Sequence, residues 1–295
     1  MKLLIIGASG VLGSSLYDSA VKKKWNVLGT YYSRQCEGLY CFKLEDRKSI
    51  TALFNFFKPE TVILAGGITN VDLCEAKPKL AEKININGTF DVAKETKRFN
   101  ARLVYLSTDY IFNGESGPYS ESDTPSPINV YGRTKLEAEN IVRSALQDCL
   151  IVRTSQLYGY DCRRKNFAVK VILSLGNNKD VNAADDFYST PTYTGTLSES
   201  IIELIEKGSS GVFNIAGRDF LDRYSYVSKI SNVFGLDESN IKRTKLKDLH
   251  LKAKRPPRGG LKIDKAEKTL KKNIMGIDRE LGLFKGEFLR IRREI

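Results

Sequence analysis

Lys2-Leu3-Leu4-Ile5-Ile6-Gly7-Ala8-Ser9-Gly10-Val11-Leu12-Gly13 is an apolar run that stops at a glycine and turns at once into a helical pattern. Glycines at 7, 10 and 13 give the stretch the G-x-x-G-x-x-G form of a dinucleotide fingerprint, one residue off the G-x-G-x-x-G spacing. Each glycine has its own task. Gly7 permits the tight turn off a strand, Gly10 lets backbone approach a diphosphate, and Gly13 lets the first helix pack closely on that strand. The diphosphate then lies at a helix N-terminus, where free N–H groups and the helix dipole favour an anion. Gly7, Ser9, Gly10, Val11, Leu12 and Gly13 are the candidate contacts.

Outward from this stretch the chain alternates short apolar runs with helical periods. Val27-Leu28-Gly29-Thr30-Tyr31-Tyr32, Val62-Ile63-Leu64-Ala65, Leu103-Val104-Tyr105-Leu106-Ser107 and Leu150-Ile151-Val152-Arg153 read as strands with helices between them. That alternation predicts βαβ units and an α/β fold, a Rossmann-type doubly wound parallel sheet with helices on both faces. Beyond about residue 155 the alternation weakens. Polar loop sequence is expected from Gly176 to Thr196, then a helix near 194–208, a strand at Val212-Phe213-Asn214-Ile215 and a helix near 223–234. The expected organisation is a dinucleotide-binding domain over 1–155 and a smaller α/β substrate lobe over 156–295, part of which returns to the sheet.

Composition narrows the chemistry. The 295 residues, 41% of them hydrophobic, suffice for a large core. No apolar run reaches the roughly 18 residues that span a membrane, and the N-terminal strand is not a signal peptide, so a soluble, cytoplasmic protein is expected. The five cysteines, at 36, 41, 74, 149 and 162, lack C-x-x-C spacing and are read as reduced thiols; no metal site is expected. His250 is the only histidine. A histidine base or a Ser-His-Asp relay is thereby nearly excluded, and acid–base work falls to Tyr, Lys or carboxylates. The net charge of +12 is concentrated at the C-terminal end, where basic residues outnumber acidic ones 18 to 7 from Lys242 onward. That surface is compatible with an anionic substrate, with a nucleic acid as the less favoured partner, or with a plain solvated face.

Two further stretches bear on cofactor and reaction. Where an acidic side chain would hold the adenine ribose of NAD, the second strand ends Thr30-Tyr31-Tyr32-Ser33-Arg34. Without a carboxylate there, and with Arg34 able to hold a 2′-phosphate, NADP (NADPH) is preferred and NAD (NADH) remains usable; an exposed surface arginine is the plainer alternative. Leu106-Ser107-Thr108-Asp109-Tyr110 ends a buried strand, and Val130-Tyr131-Gly132-Arg133-Thr134-Lys135 opens a long helix. Tyr131 and Lys135 share a helical face. A neighbouring ammonium is expected to draw the phenol of Tyr131 down toward neutral pH, and Thr108 can add a hydroxyl to the same carbonyl oxygen.

These pieces resemble the extended short-chain dehydrogenase/reductase family, and more closely its dTDP-4-dehydrorhamnose reductase branch. Thr69-Asn70-Val71-Asp72, Asn85-Ile86-Asn87-Gly88-Thr89, Ser107 to Gly114, Tyr131 to Glu139, Arg153-Thr154-Ser155 and Arg255-Pro256 carry the resemblance, in family order. It implies that Thr108, Tyr131 and Lys135 are catalytic, that Ala65, Gly66 and Thr69 line the cofactor together with Tyr131 and Lys135, and that the substrate is a nucleotide sugar. Val71, Thr108, Asp109, Tyr110, Gln156 and Arg255 fall on the substrate side.

The departures concern the sugar and the assembly. Gln156 follows Arg153-Thr154-Ser155 where rhamnose-forming members usually carry tryptophan, and Arg255-Pro256 is not followed by the family's Asn-Ser. Ser14-Ser15 stands where magnesium-bridged members place an acid; a homodimer stays open, a metal-bridged one is not expected. Dehydratases place Asp-Glu after the threonine, whereas Tyr110 follows Asp109 here, so carbonyl reduction fits better. The chain is also similar to the regulatory β subunit of methionine adenosyltransferase, which implies a partner-binding role as the alternative to catalysis.

Overall fold

Strands β1 (Lys2–Ile6), β2 (Asn26–Tyr31), β3 (Tyr40–Cys41), β4 (Thr61–Leu64), β5 (Arg102–Thr108) and β6 (Leu150–Thr154) join a later strand, Gly211–Asn214, in one seven-stranded sheet. The computed structural model describes residues 1–33, 35–160, 166–270 and 273–293. Arg34 and Cys162, both singled out above, lie outside the described residues. With short strands β7 (Leu157–Tyr158), β8 (Val181–Ala184), β9 (Tyr188–Ser189) and β10 (Thr192–Tyr193) counted in chain order, the strand at Gly211–Asn214 is β11. The sheet order is β11-β6-β5-β4-β1-β2-β3, and every pairing in it is parallel. The chain leaves β1 toward β2 on one side and later crosses to β4 on the other. That reversal opens a crevice at the C-terminal ends of β1 and β4, where ligands of such sheets bind.

Alternation along buried strands supplies both faces. Leu3, Ile5, Val104 and Val152 pack on helices α1 (Val11–Lys22) and, from later in the chain, Thr194–Glu206; Leu4, Ile6, Leu103 and Ile151 pack on the opposite layer. The opposite layer is built from α2 (Arg47–Phe57), α3 (Val71–Ala76), the short α4 (Pro78–Ala81), α5 (Gly88–Arg98) and α6 (Val130–Ala145). Helix α2 shows the local logic. Asp46 caps its start by accepting from the Lys48 amide, Ile50, Leu53, Phe54 and Phe57 form its buried stripe, and Lys58 ends it at a φ of +51°. Each such side chain contributes about 1.5–3 kcal/mol of transfer free energy.

The C-terminal lobe has a core of its own, where α7 (Phe167–Leu175), α9 (Arg223–Phe234) and α11 (Ile277–Arg293) enclose Tyr158, Tyr226, Phe284 and Phe288. Helix α8 (Thr194–Glu206) instead lies against α1, and α10 (Asp264–Leu270) beside β11. The stretch from Gly176 to Thr196, expected as loop, contains β8, β9 and β10. Strand β8 pairs in parallel with β13 (Ile241–Thr244), and β9 pairs antiparallel with β12 (Leu221–Asp222). Strands of two to four residues are too short to display a period of two, which is why the sequence pattern hid them.

Candidate active site

The glycine turn is closed by backbone contacts that no side chain could share. Gly7 has a φ of +94°, and a Cβ there would lie 2.6 Å from the Gly66 amide nitrogen; a Cβ on Gly13 would lie 2.0 Å from the Gly7 carbonyl oxygen. The amide of Gly7 donates to Thr30 Oγ1 at 3.0 Å, and that of Gly10 to the Gly7 carbonyl at 3.0 Å. Gly10 caps α1 with no side-chain hydrogen bond, and no acid occupies the first turn. The helix therefore offers its positive end to an anion, with half-buried Ser9, Gly10 and Val11 at the turn. Ala65 and Gly66 form the opposite lip, and Thr69 stands exposed on its rim. These are the features a dinucleotide diphosphate needs.

Thr108, Tyr131 and Lys135 converge behind that lip. Asn129 opens α6 by accepting from the Gly132 amide at 2.8 Å, which sets Tyr131 in the first turn. Burial pushes the Tyr131 phenol well above its ordinary range, and a hydrogen bond with Thr108 pulls the other way without prevailing. Lys135 is 8% exposed; its Nζ donates to the Leu106 carbonyl at 2.6 Å and lies 4.1 Å from the centre of the Tyr105 ring. Burial lowers the ammonium to about 7, against the raising effect of Glu139. This corrects the expected tuning: Lys135 sits on the strand backbone, and Tyr131 keeps its proton at neutral pH.

On the substrate side the residues divide. Tyr110 stands edge-on to Tyr131 at 5.8 Å, and half-buried Val71 packs in the same cluster with Ile68 and Cys74. Burial, aided by Asp109, raises the Tyr110 phenol to about 12. Gln156 adopts a φ of +34°, accepts from the Ser189 hydroxyl, and holds its Nε2 buried without a partner. Asp109 and Arg255 are engaged by the chain itself. Asp109, 3% exposed, accepts from Ser155 Oγ at 2.6 Å and the Gly260 amide at 2.9 Å, and from Thr108 Oγ1 at 3.3 Å. Arg255 pairs with Asp72 at 3.0 Å and donates to the Ala253 carbonyl at 2.9 Å. Both were expected to meet substrate; the structure turns Asp109 inward to hold Gly260 and gives the Arg255 fork a carboxylate of its own.

The family model described as RmlD substrate binding domain matches residues 1–283. The chain belongs to that family. Within reach of it, the protein is 30% identical over 82% of its length to methionine adenosyltransferase 2 subunit beta of Xenopus tropicalis, covering 74% of that relative. It is 31% identical to a probable low-salt glycan biosynthesis reductase of Haloferax volcanii, over 92% of each chain. A dTDP-4-dehydrorhamnose reductase of Clostridium acetobutylicum superposes with a TM-score of 0.88 at 30% identity, covering 98% of this chain and 100% of that one.

Several residues that shape this family member's cleft gave no signal as site residues. Asn85, 3% exposed, accepts from the Ile68 amide at 2.8 Å and donates to the Ile68 carbonyl at 3.0 Å and to Thr134 Oγ1 at 3.2 Å. It fixes the loop after β4 to α6 beside the Tyr131 turn. Glu139, one turn beyond Lys135, accepts from Arg153 Nε at 3.0 Å and from a second Arg153 nitrogen at 2.8 Å. Burial raises this carboxyl, but the Arg153 fork outweighs it and keeps it below the usual range. A buried polar residue inside a helical period was the available hint in both cases. Among the described residues no cluster of His, Cys, Asp and Glu is arranged to hold a metal, and no helix is long and apolar enough to cross a membrane.

Proposed function

We propose that this protein is an NAD(P)H-dependent reductase of a nucleotide-linked 4-keto-sugar, turning dTDP-4-dehydrorhamnose into dTDP-rhamnose. One observation carries the reading: Thr108, Tyr131 and Lys135 lie buried together, with Tyr131 one helical turn before Lys135, beside a glycine cradle shaped for a diphosphate. Reduction of a ketone needs a proton donor at the oxygen, and a phenol that holds its proton beside Thr108 can take that role. A bound nicotinamide dinucleotide supplies the hydride. Tyr131 gives its proton to the carbonyl oxygen, Thr108 orients that oxygen, and Lys135 holds the ribose side of the cofactor. In this proposal residues 1–155 bind the cofactor and 156–295 the sugar nucleotide, in a soluble, cytoplasmic protein able to form a homodimer. The dTDP-4-dehydrorhamnose reductase likeness supports the substrate class.

The test is nicotinamide absorbance with purified protein, NADPH or NADH, and a dTDP-4-keto-sugar. Steady oxidation that requires the sugar supports the enzyme. A second reading, a non-catalytic NADP-binding regulatory subunit, is favoured by the 30% identity to methionine adenosyltransferase 2 subunit beta. It expects tight NADPH binding without turnover and a partner protein that co-purifies.

A further inference from the structure

Arg223 opens α9 with its main chain tied down and its side chain packed against aromatic rings. Its amide donates to the Phe187 carbonyl at 2.9 Å, while Asp222 caps the helix by accepting from the Ser225 amide at 2.8 Å. The guanidinium lies between two rings, 4.1 Å from the centre of Phe167 and 4.7 Å from that of Phe187. Its Nε is buried and has no hydrogen-bond partner. Among the described residues no carboxylate pairs with it, in contrast to Arg153, Arg255 and Arg143, each of which has one.

The surroundings place this cation at the substrate cleft. Arg223 and Arg255 both act electrostatically on Tyr110, and the Tyr110 ring abuts Tyr131. Phe187 precedes Tyr188, whose carbonyl accepts from the Gly259 amide at 3.1 Å, and the neighbouring Gly260 amide is held by Asp109. A continuous run of contacts thus joins Arg223 to the end of β5. Both cations act to lower the Tyr110 phenol, and the charge of Arg255 is met by Asp72. Leaving the second cation half-buried with no carboxylate among the described residues is unfavourable unless an incoming anion meets it. The flanking rings hold the planar group between them, and a guanidinium's fork of N–H donors matches a phosphate's oxygens.

We propose that Arg223 receives the phosphate groups of a nucleoside-diphosphate-linked substrate. The assignment rests on the reductase reading above and adds the residue that selects the anionic half of the substrate. Arg255 then acts as a positioning residue through Asp72.

Calorimetry on protein saturated with NADPH tests it, because the glycine cradle is filled and cannot take the probe. The probes are dTDP and thymidine, which share a base and sugar and differ in the diphosphate. Arg223→Ala should weaken dTDP roughly ten- to a hundredfold, leave thymidine unchanged, and preserve NADPH binding. Wild-type dTDP affinity in the variant, or an equal loss for thymidine, overturns the assignment and makes Arg223 a packing residue. Should Arg223→Ala fail to bind NADPH, Arg223→Gln keeps size and hydrogen bonding without charge, and wild-type dTDP affinity there overturns it equally. Absence of keto-sugar turnover alongside Arg223-dependent dTDP binding sinks the reductase reading and supports the phosphate site. Turnover with an unchanged KM in Arg223→Gln sinks the phosphate site alone.

Discussion

The glycine turn after β1 and the segment from Arg255 to Leu261 both bring backbone to the cleft, one from each lobe, and they are held in different ways. The turn is fixed within the first lobe: Gly10 bonds to Gly7, Ser14 to Gly10, Gly7 to Thr30, and the Gly13 site admits no side chain against Gly7. The segment is fixed at long range. Gly260 is held by Asp109, Leu261 by Thr190, Arg258 by Gly114, and Arg255 by Asp72. The cofactor turn is thus closed within the first lobe, whereas the segment from Arg255 to Leu261 is held by residues of both lobes. Changes on the first should be felt at the cofactor, in its binding, in the chemistry or in the packing of α1 on β1, and changes on the second should be felt in the substrate and in the contacts between the lobes.

The sharpest test of the local half is Tyr131→Phe. Removing the proton donor should lower kcat by roughly 10²–10⁴-fold with NADPH affinity nearly unchanged. A Phe variant with near-normal kcat would show that another group delivers the proton. Gly13→Ala comes next. A Cβ placed 2.0 Å from a backbone oxygen has no flexible neighbour to yield, so stability should fall by about 1–3 kcal/mol or more and NADPH binding with it. Retention of both would mean that α1 can move away from β1, and the contrast between the lobes would weaken.

These two residues were legible because their meaning lies in spacing: three glycines behind a strand, and a tyrosine four residues before a lysine. The parallel sheet was legible for the same reason, since alternating runs declare βαβ units whatever their partners. Arg255 was not. An arginine in sequence shows a fork and a charge, but whether Asp72 or a substrate fills the fork depends on a residue 183 positions away. Asp109 had the look of a cleft residue and is consumed by Ser155 and Gly260. Arg223 carried no motif at all; it stands out because its Nε is buried without a partner between two rings and no carboxylate among the described residues pairs with it. The expected effect of Lys135 on Tyr131 failed on direction, since helical spacing places two side chains on one face without saying that the amine bonds the Leu106 carbonyl.

That misplaced amine yields a prediction in pH. Lys135 in the fold titrates at about 7, against 10.5 for an ordinary lysine. Between those values the unfolded chain carries a proton that the folded chain lacks, so stability should rise with pH across that window and level off below about 7, where both states hold the proton. Lys135→Met removes the group from both states. Urea midpoints measured across the window should rise in the wild type and be flatter in the variant. Equal slopes would mean that Lys135 is not desolvated, and that its amine remains free to act on Tyr131.

The smallest expected effect belongs to Arg255, and it bears on the long-range half. The Arg255 side chain is 10% exposed and that of Asp72 33%, so their ion pair is partly screened. Pairs of this kind contribute about 0–1 kcal/mol when exposed and more as burial increases. Arg255→Ala and Asp72→Ala should each lower stability by about 1 kcal/mol, and the double variant should lose less than the sum of the two. The Asp72 change has a second component, because Asp72 Oδ1 also accepts from the Ala253 amide at 2.9 Å. Comparing Asp72→Ala in wild-type and Arg255→Ala backgrounds isolates the charge pair from that main-chain bond. If Arg255 only positions the segment, its alanine variant should raise KM for a nucleotide sugar about fivefold or less, well under the effect of Arg223→Ala. A larger rise in KM for Arg255→Ala than for Arg223→Ala, with no coupling to Asp72, would reverse the roles of the two arginines and assign the phosphate contact to Arg255.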